Sequence, residues 1–234
     1  MTIIISHHDQ KPVRVDQGQF ANEDYLQGYI QANPETIPLY EISQDIKLLI
    51  LARELGTASG PIDALGIDSR GDVYIVETKL KKNEDRRRVV AQAFDYGAAL
   101  WRSSDYPAVL ASIESQVIKN FQVPLRAKLA DYFQLDDSQT DSLLENFGRN
   151  FDDGNYRFVI LMDEIDDRLR DLIVFINQNS QFSIYAVEFS YYRHQDLEII
   201  IPKLFGAQVK KDSSIARSSN SQRRATPWTV AEFE

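Results

Sequence analysis

Cysteine is absent from this chain of 234 residues, and its absence excludes disulfide bonds, thiolate zinc sites and a cysteine nucleophile. No apolar run approaches the ~20 residues that a helix needs to cross a bilayer, and the first residues lack the pattern of a signal peptide. The lack of cysteine fits a reducing cytoplasm, and the other two absences argue against a membrane segment and a secretory signal, so we expect a cytoplasmic protein with no membrane segment. With 43% hydrophobic residues, the chain can still bury a substantial core.

Positive charge is also scarce, because the chain has a formal net charge of −9 and a pI of about 4.9. This balance argues against a protein that coats nucleic acid by bulk electrostatics. It does not exclude an enzyme that meets DNA through a local basic strip. One such strip is present, and it is either a set of phosphate contacts or the solvated start of a helix. Its members are Lys79, Lys81, Lys82, Arg86, Arg87 and Arg88.

Two kinds of motif are missing as well. There is no phosphate-cradling Gly-x-x-x-x-Gly-Lys-Ser/Thr loop, which argues against a built-in ATPase activity. There is also no helix-turn-helix or zinc-finger pattern, so any DNA specificity has to come from the folded body, its C-terminal part or a recruiting protein partner.

The most informative segment that is present spans residues 60–79. It contains Asp63 in an apolar run, a turn at residues 68–72, and the triplet Glu77–Lys79 at the end of a second apolar run. Charged groups among apolar residues are costly unless they pair with each other or hold a metal. The pattern therefore predicts a functional site on a β-hairpin.

The length of the hairpin loop decides which side chains meet. A three-residue loop at 69–71, with Gly71 at positive φ, places Asp63 opposite Glu77. A two-residue loop would instead place Glu77 opposite Ala64. We expect the three-residue loop, because glycine is free to adopt the backbone conformation that it requires.

In that register, the two carboxylates have Cβ atoms ~5 Å apart. They repel each other, and a divalent cation between them relieves the repulsion. Oxygen ligands of this kind suit Mg²⁺ or Mn²⁺ rather than zinc. Lys79 projects from the same face of the strand as Glu77. The alternative is a structural salt bridge on an edge hairpin.

Asp63 followed by Glu77, Thr78 and Lys79 resembles the PD-(D/E)xK nuclease signature. The proline of that signature is offset, since Pro61 stands two residues before the aspartate instead of next to it.

Two further resemblances point to the same superfamily. Gln92 and Tyr96 have the Gln-x-x-x-Tyr pattern that follows the catalytic lysine in RecB-like members. The segment 23–34 is similar to the opening helix of archaeal-type single-strand and mismatch endonucleases. Together these resemblances cover roughly residues 20–101.

The superfamily resemblance implies a role for each of these residues. Asp63 and Glu77 hold the Mg²⁺ or Mn²⁺, with the carbonyl of Thr78 as a further ligand, and Lys79 positions or deprotonates the attacking water. Glu23 is either a supplementary ligand or a first-turn acid favoured by the helix dipole; Glu54 is a weaker candidate of the same kind. Gln92 and Tyr96 orient the lysine or a phosphate, although Tyr96 could be an ordinary core tyrosine. The residues assigned to nucleic-acid contact are Lys81, Lys82, Arg86 and Arg87.

The fold that the resemblance implies is α/β and restriction-endonuclease-like, with a mixed central sheet, helices on both faces and a C-terminal α/β unit. The implied activity is that of an Mg- or Mn-dependent endonuclease that hydrolyses phosphodiester bonds in repair, recombination or defence, with DNA favoured over RNA. The alternative is an inactive module of the same fold that binds nucleic acid or a partner. A homodimer and a recruiting protein partner are both compatible with either function.

The pattern along the chain predicts a nuclease-like domain at 1–151, a C-terminal α/β unit at 152–209 and a flexible basic tail with an amphipathic stub at 210–234.

Helices are predicted at 21–33, from Asn83 to about Trp101, within 105–151 with breaks near Pro107 and Pro124, and at 165–177. Strands are predicted at 47–52, on both arms of the hairpin, and at 157–162, 182–189 and 197–201, the last ending at Pro202.

Overall fold

A computed structural model of the chain describes residues 2–6, 8, 11–81, 88–102 and 106–207. Its strands are β1 (Thr2–Ile5), β2 (Val13–Asp16), β3 (Leu49–Thr57), β4 (Gly60–Ile67), β5 (Val73–Lys79), β6 (Tyr156–Met162), β7 (Ser183–His194) and β8 (Leu197–Phe205). Its α-helices are α1 (Glu23–Ala32), α2 (Arg88–Arg102), α3 (Tyr106–Phe121), α4 (Leu125–Phe133), α5 (Asp137–Asp152) and α6 (Asp167–Asn179).

Strands β3 to β8 form one mixed sheet whose spatial order follows the chain order. The pairs β3–β4, β4–β5 and β7–β8 are antiparallel, whereas β5–β6 and β6–β7 are parallel. Each parallel pair is joined by a helical crossover, as parallel pairing requires. The predicted boundary between residues 151 and 152 falls within the last turn of α5, and strands from both sides of it are hydrogen-bonded in this sheet. The predicted tail at 210–234 lies outside the described residues.

Helices cover both faces of the sheet. On β5, Val73 and Ile75 point to the core that contains helices α2 to α6, whereas Tyr74 and Val76 point to the core that contains α1. This alternation follows from the two-residue period of a strand. The predicted α/β class with a mixed, helix-flanked sheet is confirmed at this coarse level. In the part of the chain that is described, no helix is both long and apolar enough to span a bilayer.

The ends of the elements follow local chemistry. Helix α1 begins after Asn22, whose side chain accepts a hydrogen bond of 2.7 Å from the backbone N–H of Tyr25, as an N-cap does. Pro124 precedes α4 as predicted. Pro107 does not break a helix but is the second residue of α3, where a missing N–H has no cost. Asn83, the predicted cap of α2, lies outside the described residues.

Two strand predictions were incomplete. Strand β8 continues through Pro202 to Phe205, because β8 is an edge strand and proline there removes no bond from the interior of the sheet. The antiparallel pair β1–β2 was not predicted. Both of its strands have only four residues and are mostly exposed, so they lack a long apolar alternation.

The turn between β4 and β5 gives a test of the fold. Gly71 has φ of +81°, and a Cβ atom there would lie 2.7 Å from the carbonyl oxygen of Leu143 on α5. Gly71→Ala should therefore lower the free energy of unfolding by about 2 kcal/mol or more, through backbone strain and a clash with backbone atoms. Urea denaturation measures the loss.

Gly56→Ala is the matched control for this substitution. A Cβ at Gly56 would meet no atom within 4 Å, so its free energy of unfolding should stay within about 0.5 kcal/mol of the wild type. Equal effects of the two substitutions would show that the 68–72 turn is not held against α5.

Candidate active site

The hairpin has the register that places the predicted carboxylates opposite each other. Ala64 pairs with Val76, and Ile67 pairs with Val73. The three-residue loop 69–71 closes the turn, with the backbone N–H of Asp68 donating to the carbonyl of Asp72 at 3.3 Å. Asp63 and Glu77 are the next residues beyond the Ala64–Val76 pair, so this register brings them together as predicted.

A third carboxylate lies in the same row. Arg53 pairs with Ala64 and Leu55 pairs with Ile62, so Glu54 of β3 stands opposite Asp63. Glu54 is exposed and has φ of +49°, in the left-handed region that non-glycine residues rarely adopt. Strain of this kind is concentrated at functional sites. We call Glu54, Asp63 and Glu77 the acidic row. It crosses the three neighbouring strands β3, β4 and β5.

Glu77 is the most unusual member of the row. It is only 1% exposed, and its Oε2 atom is buried without a hydrogen-bond partner. Burial, followed by the charge of Asp63, raises the pKa of Glu77 to about 9, although the nearby Lys79 acts in the opposite direction. A buried carboxylate oxygen without a partner needs either a proton or a cation.

Asp63 is held in place by the strand that faces it. Its Oδ2 atom accepts hydrogen bonds of 2.7 Å from both the backbone N–H and the hydroxyl of Thr78. Burial raises the pKa of Asp63, and these two hydrogen bonds partly offset that effect. Oδ2 is thus occupied by Thr78, which leaves Oδ1 as the oxygen available to a ligand.

Lys79 and Glu23 lie at the same end of β5. The Nζ of Lys79 is 3.8 Å from Oε1 of Glu23, and the same oxygen accepts a hydrogen bond of 3.1 Å from the backbone N–H of Leu80. The charge of Glu23 also acts on Asp63 and Glu77. Glu23 therefore belongs to the site, and its contacts are with the lysine end of the strand.

Sequence reasoning missed one residue of the site, Gln27. It is 5% exposed on α1, where its Nε2 donates to the hydroxyl of Thr78 at 3.4 Å and its Oε1 accepts from Arg53 at 3.1 Å. Since the Thr78 hydroxyl donates to Asp63, a continuous chain of hydrogen bonds joins Arg53 to that carboxylate. The available signal was the spacing of four residues from Glu23, which places both side chains on one face of α1.

Gln92 and Tyr96 meet on α2 as the four-residue spacing predicted. The Nε2 of Gln92 donates to the hydroxyl oxygen of Tyr96 at 2.7 Å. The ring of Tyr96 is buried beside Gly60, the first residue of β4. Burial raises the pKa of Tyr96, and the charges of Glu77 and Asp63 act in the same direction. Both α2 residues thus lie near the acidic row.

The basic strip is only partly described. Lys81 forms an ion pair with Glu164, and its backbone N–H donates to Asp163 at 2.6 Å. Its ammonium group is therefore already paired with a carboxylate. The other three residues assigned to nucleic-acid contact lie outside the described residues, namely Lys82, Arg86 and Arg87.

Neither the grouping of potential metal ligands nor similarity to known proteins identifies the site. Within the described ranges, no three His, Cys, Asp or Glu side chains are grouped so that they could share a metal ion. Comparison with protein-family models gave no match, and neither did comparison with curated proteins or with solved structures. The chemistry of the site has to be judged from its own geometry.

The raised pKa of Glu77 predicts how stability depends on pH. A carboxyl group whose pKa is higher in the folded state stabilises the fold fully below its unfolded pKa of ~4.3, and this contribution is lost as pH rises towards about 9. Compared with Glu77→Gln, the wild type should therefore lose stability from pH 5 to pH 8, by at most about 1.4 kcal/mol per pH unit.

Urea denaturation in a chelating buffer, repeated across this pH range, measures the difference. Glu145→Gln, at an exposed position of α5, is the control and should keep the wild-type pH dependence. If Glu77→Gln also keeps it, Glu77 does not carry a raised pKa.

Proposed function

We propose that this chain is a metal-dependent nuclease that hydrolyses phosphodiester bonds, with DNA as the favoured substrate. The observation that carries the proposal is the pair of opposed carboxylates Asp63 and Glu77, one of them with a buried oxygen that lacks a partner, next to Lys79 on the same strand. A structural ion pair does not need two opposed acids. The restriction-endonuclease-like fold is part of this proposal, supported by a mixed sheet with helices on both faces.

The donor set fits Mg²⁺ or Mn²⁺. Oδ1 of Asp63 and Oε2 of Glu77 are carboxylate oxygens, and Thr78, whose carbonyl is the third proposed donor, directly follows Glu77 in sequence. All the proposed donors are therefore hard oxygen ligands. The rest of the coordination would come from water and substrate, as is common for Mg²⁺. Such a cation, when bound, lowers the pKa of a coordinated water and polarises a phosphate oxygen.

The residues of the chain would then have distinct tasks. Thr78 and Gln27 fix the orientation of Asp63 through the hydrogen-bond chain described above. Lys79 is 22% exposed on its side chain and offsets the negative charge that builds up on phosphorus. Because Glu77 is buried, substrate would approach from the side of Asp63 and Lys79. Tyr96, hydrogen-bonded by Gln92, lies near both acids and would orient the phosphate.

One observation favours a second candidate function. Glu77 is almost completely buried with a pKa well above neutrality, which is also what an inactive module would show if the carboxyl were kept protonated. The second candidate is therefore a module of the same fold that binds nucleic acid or a protein partner without cleaving. An activity assay separates the two.

Cleavage should require both the carboxylate and the lysine. Plasmid, linear and single-stranded DNA, with RNA beside them, would be incubated with Mg²⁺ or Mn²⁺ and cleavage followed on gels. Asp63→Ala and Lys79→Ala should each lower the rate at least ~100-fold, the lower end of what a positioned acid–base group contributes. Asp171→Ala, at an exposed position of α6, is the control and should cleave normally. A wild-type protein that matches both site variants on every substrate would favour the binding module.

Gln27 should act on metal affinity through Thr78. Gln27→Leu removes the amide that donates to the Thr78 hydroxyl, so the concentration of Mn²⁺ that gives half-maximal cleavage should rise about tenfold, as is usual when residues that orient a ligand are lost.

Gln31→Leu is the matched control, one turn further along α1. Its Nε2 is buried without a partner, so its loss should leave the Mn²⁺ dependence unchanged. Equal Mn²⁺ dependence of the Gln27 variant and wild type, with melting temperatures alike, would show that Gln27 does not orient the site.

A further inference from the structure

A cavity of about 1030 Å³ lies apart from the acidic row, between α2, the turn after α5 and the beginning of β7. Asp72 lines it, and Asp72 immediately precedes β5, whereas Glu77 and Lys79 lie at the far end of that strand. Its size is at the upper end of the range for small-molecule sites, which are concave and mostly apolar with a few polar groups. None of the proposed nuclease residues that the structure describes lines it.

Aromatic rings form the walls of this cavity. The rings of Phe94 and Phe158 are 4.7 Å apart, and those of Phe94 and Phe182 are 5.7 Å apart. Trp101 and Phe182 are 60% and 44% exposed, so both present ring surface to solvent at the cavity. Gly154, with φ of +68°, lets the indole of Trp101 lie close to the backbone, since a Cβ there would be 3.1 Å from the ring. Exposed rings of this kind are suited to stacking with another planar ring.

The charges around the cavity argue against a phosphate. Arg157 is the one cation among the described lining residues, and it forms an ion pair with Asp72. Asp153 adds a further negative charge at an exposed position. The described lining residues include no second cation that could bind an anion, so a neutral or positively charged ligand is favoured electrostatically.

The remaining polar groups are neutral. Asn155 and Gln181 are exposed at the cavity, and the amide of each carries both donors and an acceptor. The Nδ2 of Asn150 donates to the carbonyl of Gly71 at 3.0 Å, which orients its amide beside the cavity. Donors and acceptors of this kind match the edges of a heteroaromatic base.

We propose that this cavity binds a nucleobase-like heteroaromatic ring by stacking on Trp101 and Phe182, and that it takes a nucleoside in preference to a nucleotide. The ring could belong to a free nucleoside or to an unpaired base of a single strand. The proposal does not depend on the nuclease activity, because no residue of the acidic row takes part in it.

The intrinsic fluorescence of Trp101 gives a direct test. The chain has two tryptophans, so Trp228→Phe leaves Trp101 as the only one. In that background, adenosine should quench the fluorescence saturably, and AMP should bind more weakly than adenosine. Phe182→Ala should weaken adenosine binding at least fivefold, since stacking on an aromatic ring contributes at least that much per base. Phe175→Ala is the control, because Phe175 is 63% exposed on α6 and does not line the cavity.

A charge variant provides a second measurement that does not disturb the aromatic walls. Asp153→Lys, at an exposed position, should reverse the preference so that AMP binds more tightly than adenosine. A single-stranded oligodeoxyadenylate is titrated beside adenosine to identify the source of the ring. Quenching by adenosine alone assigns a free nucleoside, whereas quenching by both probes shows that an unpaired base of a single strand also enters the cavity. Absence of saturable quenching by adenosine, or equal affinity in the wild-type and Phe182→Ala backgrounds, overturns the proposal.

Discussion

The carboxylate of Asp68 fixes the turn on which the candidate site depends. Asp68 is 1% exposed, and its Oδ1 accepts hydrogen bonds from the backbone N–H groups of Arg70 and Asp72, while its Oδ2 accepts one from the hydroxyl of Tyr74. These bonds and the positive φ of Gly71 set a three-residue loop. A slip of one residue would turn Glu77 to the opposite face of the sheet. A buried carboxylate with no proposed role in chemistry therefore determines where the proposed chemistry can occur.

Burial of Glu77 destabilises its ionised form, and the same burial favours binding of a proton or a cation at its carboxylate. As an ionised group beside Asp63, it is destabilised by lost hydration and by repulsion, and Lys79 offsets only part of this. A proton or a divalent cation relieves both effects, and the two compete for the same oxygen. An exposed glutamate would have no such need. The depth of burial is therefore the property that links the packing of this sheet to the proposed metal-dependent function.

Sequence reasoning predicted the parts of the site that local chemistry controls. The register of the hairpin follows from Gly71 and the loop length, and the start of α1 follows from Asn22. The alignment of Glu54 could not be predicted in the same way, because it depends on an irregularity in β3 between Ile50 and Ala52 and on a strand that continues beyond the predicted end at residue 52. Local pattern does not reveal how far a strand persists once its neighbours supply hydrogen bonds.

Other parts were beyond sequence reasoning because they depend on tertiary contacts. Gln27 joins the site only because α1 lies over β5, and glutamines on helices are usually exposed. The burial of Glu77 likewise depends on the covering of the sheet by elements distant in sequence. The charged residues within apolar runs located the acids and the lysine, but they carried no information about the hydrogen bonds that connect Asp63 to Arg53.

The acidic row and the cavity at the opposite end of β5 both carry negative charge. Helix α2 passes both, with Tyr96 near the acids and Trp101 at the cavity, ~7.5 Å apart along the helix axis at 1.5 Å per residue. Both places are negatively charged, and the whole chain carries a net charge of −9. A phosphodiester is therefore repelled at the acidic row unless a cation offsets the negative charge there. A neutral ring would carry no such penalty at the cavity. Under the two proposals, phosphate binding at the acidic row therefore requires a divalent cation, whereas ring binding at the cavity does not.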